Sequence, residues 1–358
     1  MAATSGPIRA ATPALVIDEA LLDANIARMA AFTRSAGLSL RPHVKTHKSV
    51  EIAKRQRAAG AVGITVATLS EALVFSRAGF SDIFVAYPLW FDEFRTAALA
   101  SVLEHSSVRL GIDSVDSAVQ LARTGLATAG RLEVLVEIDS GHHRSGVQPS
   151  DAGSLAAVAR DVGLDVAGVF TFPGHSYSPD TRKSAAQDEQ DALSAAVGSL
   201  AKNGIEARVV SGGSTPSLEF ATSSVLTEVR PGVYVFGDAQ QWELGTTDPA
   251  NIALTAIATV VSSSPDHLIL DAGSKVLGAD RGAYSSGFGR LLDHPDARIT
   301  ALSEHHATVT GVELPLGTRV RIVPNHSCAA VNLAGEYLVA SADGAIATWP
   351  VDARGRNR

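Results

Sequence analysis

Between residues 38 and 238 the chain repeats one alternation eight times, a short β-rich run followed by a stretch with helical spacing. The runs are LSLRPHV (38–44), AVGITVA (61–67), DIFVAY (82–87), SVRLGI (107–112), EVLVEI (133–138), DVAGVFTF (165–172), EARVVS (206–211) and EVRPGVYVF (228–236). The intervening segments, such as SVEIAKRQRAAG, LSEALVFSRAG and AAQDEQDALSAAVGSLAKNG, place apolar residues three and four apart, and several stop at Gly. Eight β/α units in series fit an α/β chain folded as a (β/α)8 TIM-like barrel. An open doubly wound sheet usually ends after five or six strands. A strand PALVID (13–18) and a helix LLDANIARMAAFTRSAG (21–37) precede the eight.

After about residue 245 the pattern changes. Segments IALTAIATVVSSS, HLILDAG, HHATVTG, TRVRIVP and EYLVASADGAIATWPV are strand-like, with Gly, Pro and Asp between them. The expected organisation is a barrel domain over 13–245 and a smaller C-terminal β domain over 246–358, with residues 1–12 packing on the latter.

Composition narrows the partners. With 37 acidic against 30 basic side chains the formal charge is −7, and neither end carries the basic run that nucleic-acid backbones require, so nucleic acid is not expected. Apolar windows such as NIALTAIATVV are too short and too interrupted to span a membrane. The first twelve residues lack the apolar core of a secretory signal, and a lone cysteine excludes an internal disulfide; the expected compartment is the cytoplasm.

In a β/α barrel the chemistry sits at the C-terminal strand ends. The first run leads into RPHVKTHKS, which places Lys45 and His47 beside His43. A lysine at such a position suits Schiff-base chemistry, or is simply a surface lysine. The fifth run leads into EIDSGHHRSGV, with Asp139, His142, His143 and Arg144, and the sixth into TFPGHSY, with His175 and Tyr177. After the seventh comes SGGSTPS, whose glycines allow close backbone approach. Amides there, opening a helix, would hold a phosphate. In IVPNHSCAAVN, His326 and Cys328 are two apart. On extended backbone they would face one side and share a metal ion, with Glu304, His305 and His306 as further polar neighbours; a buried cysteine beside an incidental histidine is the alternative. Rossmann and Walker glycine patterns are absent.

Taken in order, TPALVID, RPHVKTHKS, ITVATLSEA, EIDSGHHRSGV, PGHSY, VSGGSTPS, EVRPGVYVFGD and PNHSCAAVN resemble the pyridoxal phosphate enzymes with an alanine-racemase-like barrel. The resemblance is strongest to the D-threonine aldolase and D-serine dehydratase group, and it runs over nearly the whole chain. It implies pyridoxal 5′-phosphate held by Lys45 as a Schiff base, with Gly213, Ser214 and Thr215 cradling the phosphate. Arg144 and Tyr177 would line the cofactor pocket, and Tyr234 would fix its phosphate end. His326 and Cys328 match the family's divalent metal pair (Mn²⁺, Zn²⁺ or Mg²⁺), whose ion sits beside the substrate's β-hydroxyl. A homodimer acting on a small D-β-hydroxy amino acid follows from the same resemblance.

Two reactions diverge from that assembly. As an aldolase, the preferred reading, His175 or a metal-bound hydroxide takes the hydroxyl proton, and glycine leaves with an aldehyde. As a dehydratase of D-serine or D-threo-3-hydroxyaspartate, Lys45 takes the Cα proton and the metal assists departure of hydroxide, giving a 2-oxo acid and ammonia. A non-catalytic pyridoxal phosphate homeostasis protein is the alternative from another class. Such proteins resemble the barrel alone, so the extra β domain counts against it.

Overall fold

The computed structural model describes residues 10–358. Numbering strands along the chain, β1 (Ala14–Asp18) is followed by eight that make one parallel sheet: β2 (Ser39–Leu40), β3 (Ile64–Val66), β4 (Asp82–Pro88), β5 (Ser107–Ile112), β6 (Leu132–Glu137), β7 (Asp165–Phe170), β8 (Val209–Gly212) and β9 (Glu228–Val229). Every one falls on one of the eight runs. The order β2-β9-β8-β7-β6-β5-β4-β3 would leave β2 and β3 as edges. Val62 and Thr65 donate their amides to the carbonyls of Leu40 and Pro42 (2.9 and 2.8 Å), and His43 bridges Thr65, which closes the barrel.

Side chains fill the barrel in layers. Phe84, Leu135, Ala167 and Phe170 form an apolar cluster, with the two phenyl rings edge to face at 5.1 Å. Asp82 and Glu228, the first residues of β4 and β9, receive Arg41, 2% exposed, which donates to Glu228 (2.9 Å) and to both oxygens of Asp82 (2.7 and 2.9 Å). Gly63 is required there, since a Cβ would come 2.1 Å from the Arg41 guanidinium. A buried, doubly paired arginine at this end reads as stability, leaving the opposite end for chemistry.

The second sheet is mainly antiparallel. It comprises β1, β10 (Leu254–Ser263), β11 (Leu268–Leu270), β12 (Gly289–Leu291), β13 (His294–Leu302), β14 (Ala307–Thr310), β15 (Arg319–Pro324), β16 (Glu336–Ala340) and β17 (Ile346–Pro350), in the order β11-β14-β13-β12-β15-β10-β1-β16-β17. β10 pairs with β11 as well, so six of these strands form a closed ring. Backbone contacts divide the chain into one unit of residues 30–45, 53–232 and 356–358 and another of residues through 29, 46–52 and 233–355. This differs from the expected cut at 245. The physical reason at the N-terminal end is that β1 bonds to β10 and β16 rather than to a barrel strand.

The expectation for residues 1–12 lies outside the described residues as far as residue 9. Thr12, which is described, donates its hydroxyl to Asp271 (2.6 Å) and lies 2.7 Å from the Thr259 hydroxyl. Among the described residues no helix is long and apolar enough to cross a membrane.

Candidate active site

Lys45 does not end a strand directly. β2 stops at Leu40, and the lysine sits on a 3-10 turn, Val44–Thr46, exposed, with no side-chain partner among the described residues. The loop after β6 is built around Asp139, which accepts from the amides of Gly141 and His143 (3.0 Å each) and pairs with His143 Nδ1 at 2.6 Å. Burial works to raise this carboxyl, but the bonds from His143 and Gly141 outweigh it and hold it below the ordinary range. His143 is thereby committed in a left-handed conformation (φ 55°).

Arg144, Tyr177 and His142 gather on Phe172. The Arg144 guanidinium lies 5.2 Å from the ring centroid, the His142 ring stands edge to face at 5.6 Å, and Tyr177 is tilted at 6.2 Å. Burial pushes His142 down, and neighbouring Arg144 and His175 add to it. His175 approaches Asp188 through Nε2 (3.1 Å), while its Nδ1 is buried without a partner among the described residues.

The SGGSTPS turn departs from the expected helix N-terminus. It leads into a 3-10 turn, Leu218–Phe220, rather than an α-helix. Gly213 adopts φ +74°. Its N–H donates to the buried Glu189 (2.7 Å) and that of Ser214 to Ser217 Oγ (3.1 Å). The Ser214 hydroxyl is shared with Ser176 (2.9 Å) and Ser217 (3.0 Å). Thr215 Oγ1 is left buried with no partner among the described residues.

Three residues here escaped the sequence reading. Arg230 is fully enclosed, donating to Ser211 Oγ and the Thr171 carbonyl (2.6 Å each) and lying over the rings of Phe84 and Phe170. Burial pulls its guanidinium down to about 10. It stands one residue beyond β9, so the strand-end rule applied to EVRPG would have found it. Glu137 ends β6 with Oε2 buried and unpartnered among the described residues, and burial raises its carboxyl. Glu189 lies mid-helix, where no local signal marks it.

A second cluster lies in the 233–355 unit. His326 is extended (φ −132°, ψ 109°), but Cys328 belongs to the helix Ser327–Leu333. The pair is therefore not displayed on one strand, as expected; β15 ends two residues earlier, and the helix start turns the thiol toward the imidazole. Asp280 Oδ2 lies 2.5 Å from His326 Nδ1, and Cys328 Sγ lies 3.3 Å from Thr46 Oγ1. Burial opposes protonation of His326, yet the thiol and Asp280 hold it well above its usual value. Asp238, pushed up to about 6 by burial, accepts from the amides of Gln241 and Ser327. The Tyr284 hydroxyl is buried and unpartnered among the described residues, and burial raises it. Tyr234 is half-buried on the 3-10 turn Val233–Val235. Glu304 pairs with Lys275 (2.8 Å), and His305 and His306 are exposed.

The residues suit the two expected groups. An unpartnered buried hydroxyl on a glycine-bearing turn, together with an unpaired lysine, matches the needs of a phosphate-bearing aldehyde. A thiol touching an imidazole whose other nitrogen is held by a carboxylate matches a divalent ion of borderline softness. Among the described residues no group of three or more His, Cys, Asp or Glu side chains is arranged to hold a metal.

Comparison with known proteins bears on both parts. Residues 17–240 match the family model described as the alanine racemase N-terminal domain, and residues 253–340 match a putative serine dehydratase domain. The chain is 37% identical to the D-threo-3-hydroxyaspartate dehydratase of Delftia sp. (strain HT23), covering 94% of this chain and 96% of the relative. To the D-threonine aldolase of Arthrobacter sp it is 34% identical, covering 98% and 94%. The solved Delftia structure superposes with a TM-score of 0.88 at 36% identity, covering 96% and 98%. The D-threonine aldolase from Filomicrobium marinum gives 0.89 at 30%, covering 99% of each. A D-threo-3-hydroxyaspartate dehydratase has also been solved as a cysteine-to-alanine mutant in the metal-free form.

Proposed function

The chain belongs to the alanine racemase N-terminal domain family and is a lyase of that family, and on that premise we propose that it is a pyridoxal phosphate- and metal-dependent dehydratase of D-β-hydroxy-α-amino acids. The products would be a 2-oxo acid and ammonia. This reading rests on the match of residues 253–340 to the putative serine dehydratase domain; the Cys328 thiol set against the His326 imidazole within it would supply the metal pair that either reaction needs. A D-threo-3-hydroxyaspartate dehydratase solved as a cysteine-to-alanine mutant in the metal-free form supports a metal site in this group.

Pyridoxal phosphate, when bound, supplies the electron sink that makes the Cα–H bond acidic. Lys45 would hold it, Thr215 Oγ1 would donate to its phosphate, and Arg144 and Tyr177, set on Phe172, would line its ring. A divalent ion held by His326 and Cys328 would act as a Lewis acid toward the β-hydroxyl. Asp280 keeps the imidazole oriented by fixing Nδ1. The Lys45 amine, freed when the substrate's amino group displaces it, would take the Cα proton as the β-hydroxyl leaves; the released enamine would tautomerise to an imine, and addition of water would give the 2-oxo acid and ammonia.

The aldolase reading has one observation in its favour. His175 Nδ1 is buried with no partner, so a ring nitrogen is free to take a hydroxyl proton. The deciding experiment supplies the purified protein, loaded with pyridoxal phosphate and Mn²⁺ or Zn²⁺, with D-threonine, D-serine and D-threo-3-hydroxyaspartate, and L-forms as controls. Ammonia and a 2-oxo acid support the dehydratase; glycine with an aldehyde replaces it with the aldolase. The expected homodimer belongs to the same proposal and is checked by analytical ultracentrifugation.

A further inference from the structure

Glu189 is 1% exposed, sits mid-helix in Arg182–Lys202 and has no part in the reaction just described. Its carboxyl lies directly under the turn that follows β8. Oε1 accepts the Gly213 N–H at 2.7 Å, and a Cβ at Gly212 would come 2.5 Å from the same oxygen. Gly213 holds φ +74°, with Val229 3.0 Å from where its Cβ would be. The amides of Gly213 and Ser214 are both spent inside the protein, whereas Thr215 Oγ1 is buried without a partner among the described residues and is thus available as a donor to an anion.

We propose that Glu189 is the positioning residue of this turn, locking Gly213 in its left-handed conformation, and that loading a phosphate monoester onto the turn is coupled to uptake of a proton at Glu189. The inference rests on the reading of the turn as a cofactor phosphate site. A carboxylate and a phosphate dianion sharing one buried neighbourhood repel each other, and a neutral carboxyl relieves the conflict while still accepting the Gly213 N–H.

The surroundings permit the neutral form. Burial raises Glu189 to about 7, opposed by the Gly213 bond and by Arg230, the charged group acting on it from outside its helix. The turn presents Gly212 and Gly213, and the 226 segment presents Leu226, none of them charged. Within the helix, Asp188 turns away to His175. An anion on the turn pushes the carboxyl higher still, so binding above neutral pH requires a proton from solvent.

The test measures dissociation constants of pyridoxal phosphate and of pyridoxal for the apo-protein from pH 6.5 to 8.5, in the wild type, Glu189→Gln and Glu189→Ala. The ratio of the pyridoxal constant to the pyridoxal phosphate constant isolates the phosphate's contribution. In the wild type this ratio is expected to fall with pH relative to Glu189→Gln, by up to about tenfold per unit. Glu189→Gln, whose amide oxygen still accepts the Gly213 N–H, keeps the phosphate preference across the range. Glu189→Ala lowers it by about tenfold at every pH with pyridoxal affinity little changed. Parallel pH profiles for wild type and Glu189→Gln, or an unaltered ratio in Glu189→Ala, overturn the proposal. A wild type that does not prefer the phosphorylated form overturns the cofactor reading of the turn itself, and Glu189's role with it.

Discussion

Asp280 Oδ2 and His326 Nδ1 lie 2.5 Å apart although 46 residues separate them in the chain. The contact commits one imidazole nitrogen to the carboxylate and leaves Nε2 as the nitrogen able to bind an ion.

Replacing Asp280 with Asn or Ala is expected to weaken Zn²⁺ or Mn²⁺ binding by about 10- to 100-fold, because the imidazole loses its orientation and some of its basicity. Competition against a chromophoric chelator measures this directly. An affinity unchanged in both variants would mean that Asp280 is not a partner of the metal pair.

Glu189 sets a stability trend with a definite sign. Its carboxyl is raised from 4.5 to about 7 by burial, so its contribution is fully present below about pH 4.5 and is lost as pH rises through 7. Glu189→Gln should therefore stabilise the apo-protein at pH 8.5 by up to about 3 kcal/mol and make little difference at pH 4.5. Urea unfolding at the two pH values, followed by circular dichroism, reads the difference; an equal effect at both would show that ionisation is not involved.

Two glycines in neighbouring helices are expected to respond oppositely to alanine. Gly153, in the helix Ala152–Asp161, would place a Cβ 2.1 Å from the Ser199 carbonyl, and the clash should cost about 2 kcal/mol or more. Gly198, in Arg182–Lys202, faces open space, so Ala there should gain about 1 kcal/mol of helix propensity. Thermal midpoints of the two variants moving in the same direction would contradict this packing.

Lys45 is exposed, so Lys45→Ala is expected to leave the circular dichroism spectrum unchanged while abolishing the borohydride-reducible visible absorbance of a bound aldehyde. Retention of that absorbance would assign the Schiff base to another lysine.

What the sequence showed best was what depends on near neighbours. All eight barrel strands were legible, because the alternation of buried strand and amphipathic helix is written in consecutive residues. Phe172, Arg144 and Tyr177 come together from two loops already marked as strand ends. Detail failed where a local conformation broke the regular pattern. The turn after β8 runs into a 3-10 turn in place of the expected α-helix, and the helix beginning at Ser327 changed how Cys328 meets His326.

The sequence by itself determined the period of the fold, the order of its elements and the residue types at its strand ends. Only the tertiary structure decided that Asp280 orients His326, that Glu189 lies beneath Gly213, and that β1 joins β10 and β16 rather than the barrel. The reason is physical. Periodicity fixes which face of a segment is apolar, whereas a hydrogen bond between distant residues depends on where whole elements come to rest, and that is set by the packing of the entire core.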